Sequence, residues 1–170
     1  MLKRFLELCY PLHRDGGCVE ETIHLQNIER AVDAILALYA VDAPPIPVEV
    51  MLQSPKPNTW EKADISHLSN SINLRTSRHA LRLSVARLLA REVSDSAWGA
   101  TWRLSDIATN AEGLRKLARA IIMPRPMIEA ISLDVRTAQV IGMRFRVPEE
   151  DAQLRLNDLN ILADAEFSAR

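Results

Sequence analysis

Apolar residues return at helical spacing along most of this chain, and the helices they mark are the first thing the sequence establishes. From Asn27 onward, Ile28, Ala31, Val32, Ile35 and Leu36 fall on one face. Asn27 stands where a cap would, and Pro44-Pro45 closes the segment, which predicts an amphipathic helix of about three turns. Ahead of it, residues 1–26 read as an irregular N-terminal segment, because Pro11 and Gly16-Gly17 interrupt a helix begun at the chain start. Residues 47–52 alternate, with Val48, Val50 and Leu52 on one side, and fit either a short strand or the lead into a helix. Residues 54–58, with Pro55 and Pro57, are a predicted loop. Residues 71–74, where Ile72 and Leu74 stand among polar neighbours, are a predicted edge strand.

Residues 76–93 make the strongest predicted helix, with Thr76 or Ser77 as cap and no Gly or Pro inside. Leu81, Val85, Leu88 and Leu89 share the sector expected to face the core, while Arg87 and Arg91 stack one turn apart on another. Residues 95–109, carrying Trp98, Gly99 and Trp102, predict a mixed connection with one helical turn. Asn110 then caps a second strong helix, and Glu112 suits the positive end of its dipole. Its apolar stripe is Leu114, Leu117, Ala118, Ile121 and Ile122, and Pro124 and Pro126 end it. Two helices follow, residues 134–145 and 149–159, with Pro148 at the first helical position of the second.

Length and composition narrow the picture further. The 170 residues suffice for one compact domain with a small appendage. Hydrophobic and charged contents of 48% and 25% are those of an ordinary globular chain, and aromatic content of 5% makes the core mostly aliphatic. A formal charge of −1 and a pI near 6.4 give no global field for nucleic acid or an anionic membrane. Residues 1–10 hold a short apolar stripe, Leu2, Phe5, Leu6 and Cys9, but no run of signal or membrane-span length, so a cytoplasmic location is expected. Two cysteines, Cys9 and Cys18, are then expected as free thiols.

Four segments, in order, resemble one family. NIERAVDAILALYAVDAPPIPVEV (27–50) is similar to the opening helix of the ImmA/IrrE zinc peptidases with its proline-containing exit. RLSVARLLAR (82–91) resembles their active-site helix, and AEGLRKLARAIIMP (111–124) the second helix with its Met-Pro ending. AQVIGMRFRVPEEDAQLRLNDLNIL (138–162) resembles the terminal helical pair built around Phe-x-Val and Arg-Leu. The resemblance, over residues 27–162, implies an α+β, predominantly helical fold with a zincin-like helical core, a small edge sheet and a C-terminal helical pair. It divides the chain into the N-terminal segment 1–26, a metallopeptidase-like domain 27–133, and the helical pair and tail 134–170.

The family's chemistry needs two His one turn apart on a metal, with Glu beside the first acting as base on the bound water. Laid on this chain, those positions fall on Arg87, Leu88 and Arg91, and the third-ligand region on residues 111–113, where Glu112 is the only carboxylate. A guanidinium stays protonated and has no lone pair for a cation, and a leucine cannot accept a proton. No His-x-x-x-His occurs anywhere in the chain, and His13, His24, His67 and His79 are the only histidines. His67 and His79, with Asp64 or Glu61 nearby, could meet across the strand and helix start, against the simpler reading of surface or capping histidines. Neither a Gly-x-Ser-x-Gly elbow, an activated cysteine nor a phosphate loop is visible. No metal, cofactor or catalytic residue is therefore expected.

The resemblance implies instead that Arg87 and Arg91 look toward Glu112, where an ion pair would replace the metal link. The plain alternative makes both arginines the solvated face of a helix. Arg78 and Arg82 extend a basic patch toward anions, and Trp98 and Trp102 would suit a protein interface, or else fill the core. Family members resemble partners of helix-turn-helix repressors in phage, mobile-element and stress-response systems. The leading expectation is a non-catalytic pseudo-peptidase acting as a protein-binding or regulatory module, with a repressor-like protein partner. The alternatives are a DNA-binding regulator acting through the last two helices, and a metallopeptidase with a non-standard site. Acidic Glu149, Glu150, Asp151 and Asp158 on the would-be recognition helix oppose phosphate binding.

Overall fold

The computed structural model describes residues 15–63 and 78–168. These form α1 (Asp15–Tyr39), α2 (Val48–Gln53), α3 (Arg78–Asp95), α4 (Ala97–Thr101), α5 (Leu104–Ile107), α6 (Ala111–Ile122), α7 (Arg125–Glu129), a 3-10 turn (Leu133–Val135), α8 (Ala138–Phe145) and α9 (Glu149–Ser168). The fold is predominantly helical, and the described residues contain no strand. The predicted edge strand at 71–74, and the Thr76 and Ser77 caps, lie outside the described residues.

α1 starts twelve residues before Asn27, at Asp15, so the stretch 15–26 is helical rather than irregular and Asn27 is interior rather than a cap. Gly16-Gly17, a break by composition, lie within this helix. α1 stops by a Schellman motif: Val41 N–H donates to the Leu36 carbonyl (3.0 Å) and Ala40 N–H to that of Ala37 (3.2 Å), with Ala40 left-handed at φ 50°. The termination therefore precedes Pro44-Pro45, a cis pair in the following loop.

For residues 47–52 the helical alternative holds. Val48, Met51 and Leu52 are buried at i, i+3 and i+4, whereas Val50, expected on the same side as Val48, is 55% exposed. In α3 the buried face is Leu83, Ala86, Leu89, Ala90 and Val93. Of the four residues expected there only Leu89 is fully buried, while Val85 and Leu88 flank the core. Ala86 and Ala90 explain the rotation, since small side chains let a helix approach its neighbour closely and put the larger leucines at the seam's edges.

α3 packs along α6, and α1 and α9 close over α6. The connection between α3 and α6 is two short helices rather than one turn. Ser96 caps α4 by accepting from Gly99 N–H (2.9 Å), and Asn110 caps α6 by accepting from Gly113 N–H (2.7 Å). Both glycines are there for space: an added Cβ would lie 2.0 Å from the Val93 carbonyl oxygen at Gly99 and 1.8 Å from that of Ile107 at Gly113. Pro124 ends α6 as expected, but Pro126 sits inside the first turn of α7 instead of in a loop.

Residues 134–137 are not part of the next helix. Arg136 clips them back by donating to the carbonyls of Ile131 and Glu129, and Thr137 caps α8 by accepting from Val140 N–H. α8 ends in a second Schellman turn, with Arg146 left-handed (φ 58°) and Val147 N–H donating to the Gly142 carbonyl (3.0 Å). α9 runs on to Ser168, and Pro148 stands immediately before its first residue, its carbonyl accepting from Ala152 N–H. Phe145, Val147 and Ala152 join the same hydrophobic core as Ile28 and Leu117, so one core spans the boundary expected at 133/134. None of the helices searched is long and apolar enough to cross a membrane.

Candidate functional site

The seam between α3 and α6 carries the residues singled out by sequence. Leu88 is half-buried against the core, Arg87 is half-buried beside it, and Arg91, one turn on, is exposed. Arg87 Nε is shut off from solvent and has no hydrogen-bond partner. Neither Arg87 nor Arg91 forms an ion pair with a described residue. The charge that acts on Arg87 from across the seam is Asp151, in the first turn of α9. Burial raises the Asp151 carboxyl above its ordinary value, and Arg87 is the strongest influence pulling it back, ahead of Arg119 and Arg115.

The ion pair expected between these arginines and Glu112 is not formed. Glu112 pairs along its own helix, with Arg119 (2.9 Å) and Arg115 (3.4 Å). Positions 112, 115 and 119 lie on one face of α6, and Arg119, only 2% exposed, needs a counter-charge far more than Arg91 does. Partial burial pushes the Glu112 carboxyl up, but the hydrogen bonds and charges of Arg119 and Arg115 outweigh this and hold it below the usual glutamate value.

Arg82 is engaged as a clip rather than offered to an anion. Its Nη2 donates to the Ile46 carbonyl (2.7 Å) and its Nη1 reaches Glu49 (3.4 Å), tying α3 to the start of α2. Arg78 opens α3, and its side chain lies outside the described residues, as do His13, His67, Asp64 and Cys9. Trp98 and Trp102 are half-buried in an aromatic row instead of standing free as anchors. Tyr39, Trp60, Trp98 and Trp102 follow one another at centroid spacings of 6.0, 5.9 and 5.8 Å, with the Arg30 guanidinium 5.7 Å over Trp102. Trp60 is the buried member and donates through Nε1 to the Met51 carbonyl. The row joins α1, the loop after α2, and α4, so core filling is its main role.

Sequence reasoning missed the buried charges beneath the seam. Arg155 of α9 is wholly buried and makes a bidentate pair with Glu29 of α1 (2.7 and 2.9 Å), while its Nε donates to the Met123 carbonyl at the end of α6 (3.0 Å). Asp158, 5% exposed, faces Arg119 at 3.3 Å. Burial raises the Asp158 carboxyl, and Arg119, Arg155 and Lys116 only partly offset it. Lys116 in turn is held by Glu21 of α1. The signal was present: Ala152, Arg155, Asp158 and Leu162 repeat at one face of α9, which puts two opposite charges on the side of a helix that must be covered. Naming their partners needs the tertiary fold, because Glu29 and Arg155 are 126 residues apart.

Beyond this network, between α1, α7 and the end of α9, an open cleft of roughly 450 Å³ is lined by Asp33, Arg125, Glu129 and Glu166 among others. Arg125 pairs with Glu129 within α7 (2.6 Å) and bridges to α9 through both oxygens of Glu166 (2.7 and 3.1 Å). Burial and the neighbouring Glu29 raise the Asp33 carboxyl, with Arg125 opposing.

Among the described residues no group of three or more His, Cys, Asp or Glu side chains is placed to hold a metal ion. The α3 side of the seam does not fit zinc: Arg87 and Arg91 offer only guanidinium nitrogens, which stay protonated, and Leu88 offers no ligand atom. Comparison with family models, with curated proteins and with solved structures finds no match to this chain.

Proposed function

We propose that this chain is a non-catalytic, ImmA/IrrE-like pseudo-peptidase that holds a protein partner, a helix-turn-helix repressor or similar regulator, without cutting it. The observation that carries this reading is the middle of α3. Where the family's chemistry needs ligand, base and ligand, this helix carries Arg87, Leu88 and Arg91. Leu88 packs against the core and Arg87 keeps a donor without an acceptor, so at these three positions α3 presents positive charge and no side chain that can take up a proton. Such a surface suits recognition of a partner and not activation of water.

Duplex binding through α8 and α9 is less well supported. Their short Arg146 to Pro148 connection resembles a helix-turn-helix, but Arg155 is committed to Glu29, and the exposed first turn of α9 is Glu149 and Glu150. The test is reconstitution with the product of a neighbouring repressor-like gene. A complex that survives size exclusion, with the partner intact by mass spectrometry, is the expected result. Stoichiometric zinc in protein purified without chelator, together with cleavage of that partner, would overturn it.

A further inference from the structure

Arg87 is the least satisfied cation in the described structure: half-buried, with Nε sealed from water and no carboxylate or carbonyl bound to it. A guanidinium in that state is left short of the hydrogen bonds that burial demands, and its two terminal nitrogens, which are neither sealed nor bonded, match the two oxygens of a carboxylate. Arg91, one turn along α3, is exposed and lies on the same sector. Asp151 of α9 supplies negative charge to Arg87 without bonding to it. We infer that Arg87 and Arg91 form a receptor for the carboxylate of an acidic partner segment, with Asp151 as its internal competitor. This inference rests on the binding-module reading and adds to it the chemistry of the partner.

The surroundings define what the receptor prefers. Glu112 does not compete, because Arg119 and Arg115 already hold it. Asp151 is the carboxylate whose charge acts at Arg87, so an acidic ligand bound there works against its field. Neutralising Asp151 should therefore strengthen binding, which a merely structural arginine pair would not do.

The experiment follows the Arg87 Nε–Hε resonance of the full-length protein by nitrogen-edited NMR, assigned through Arg87→Lys. The probes are a capped oligoglutamate peptide, its glutamine counterpart and inorganic phosphate. The expected result is a saturable shift with oligoglutamate and none with the glutamine peptide. Affinity, read by fluorescence anisotropy of the labelled peptide, falls about tenfold in Arg87→Lys and in Arg91→Gln and rises several-fold in Asp151→Asn. Arg91 is exposed, so its variant reports even if changes at position 87 disturb folding. Equal response to both peptides, saturation by phosphate alone, or unchanged affinity in Arg91→Gln and Asp151→Asn would each overturn the inference. If those results came with an intact repressor complex, the receptor would fall and the binding module would stand.

Discussion

Removing the carboxylate of Glu29 strips a fully buried arginine of its bonded counter-charge. Arg155 is 0% exposed, and both of its terminal nitrogens are bonded to Glu29, at 2.7 and 2.9 Å. Glu29→Gln keeps the shape and one acceptor but takes away the counter-charge. Breaking a buried pair in this way costs about 3–5 kcal/mol. For a chain of this length each kcal/mol moves Tm by about 2–4 °C, so the variant should melt on the order of 10 °C lower. Replacing the whole pair, Glu29→Leu with Arg155→Met, removes the desolvated charges together and should recover most of that loss. What remains is the Met123 carbonyl at the end of α6, stripped of the Arg155 Nε donor, worth about 1–3 kcal/mol. Urea unfolding of Glu29→Leu, Arg155→Met, the double variant and the unsubstituted protein, followed by tryptophan fluorescence, gives all four corners of the double-mutant cycle. If the double variant lost as much as the sum of the two single ones, the charges would be acting independently and the reasoning would fail.

Gly113→Ala should be destabilising although alanine is ordinarily favoured over glycine in a helix by about 1 kcal/mol, because its Cβ would lie 1.8 Å from the Ile107 carbonyl oxygen. A rise in the urea midpoint would contradict that close approach. Glu112→Gln should lower stability slightly at pH 7, by less than about 1 kcal/mol for so exposed a group, and leave it unchanged at pH 3. The sign follows from Arg119 and Arg115 holding its folded pKa below the unfolded one: the stabilisation is present above the ordinary glutamate range and is lost as pH falls through the folded value. An equal drop at both pH values would point to packing instead of charge.

The helices were legible wherever an apolar face and a cap coincided. Asn110, the stripe of Leu117, Ala118, Ile121 and Ile122, and the stop at Pro124 stand as the sequence pattern indicates. The N-terminal part of α1 was not, because Gly16-Gly17 carries a breaker's composition and yet lies within the helix. The inner face of α2 was misread in phase, since Val48 and Val50 alternate in sequence while burial follows Val48, Met51 and Leu52. At the candidate site the cationic and apolar character of Arg87, Leu88 and Arg91 could be read directly from the sequence. The partners of Glu112 could not: burial of Arg119 is a property of where α1 and α9 close over α6, and local spacing alone does not reveal it.

An inner helical face made of aliphatic residues can slide by a turn and still be covered. That of α9 carries an arginine and an aspartate at its centre, each matched to an opposite charge on a different helix. Shifted by one turn, both would face oil or like charge, so only a single alignment of the C-terminal helix is tolerated. The alignment also fixes where the acidic first turn of α9 comes to rest, and with it how much negative field the guanidinium across the seam must feel.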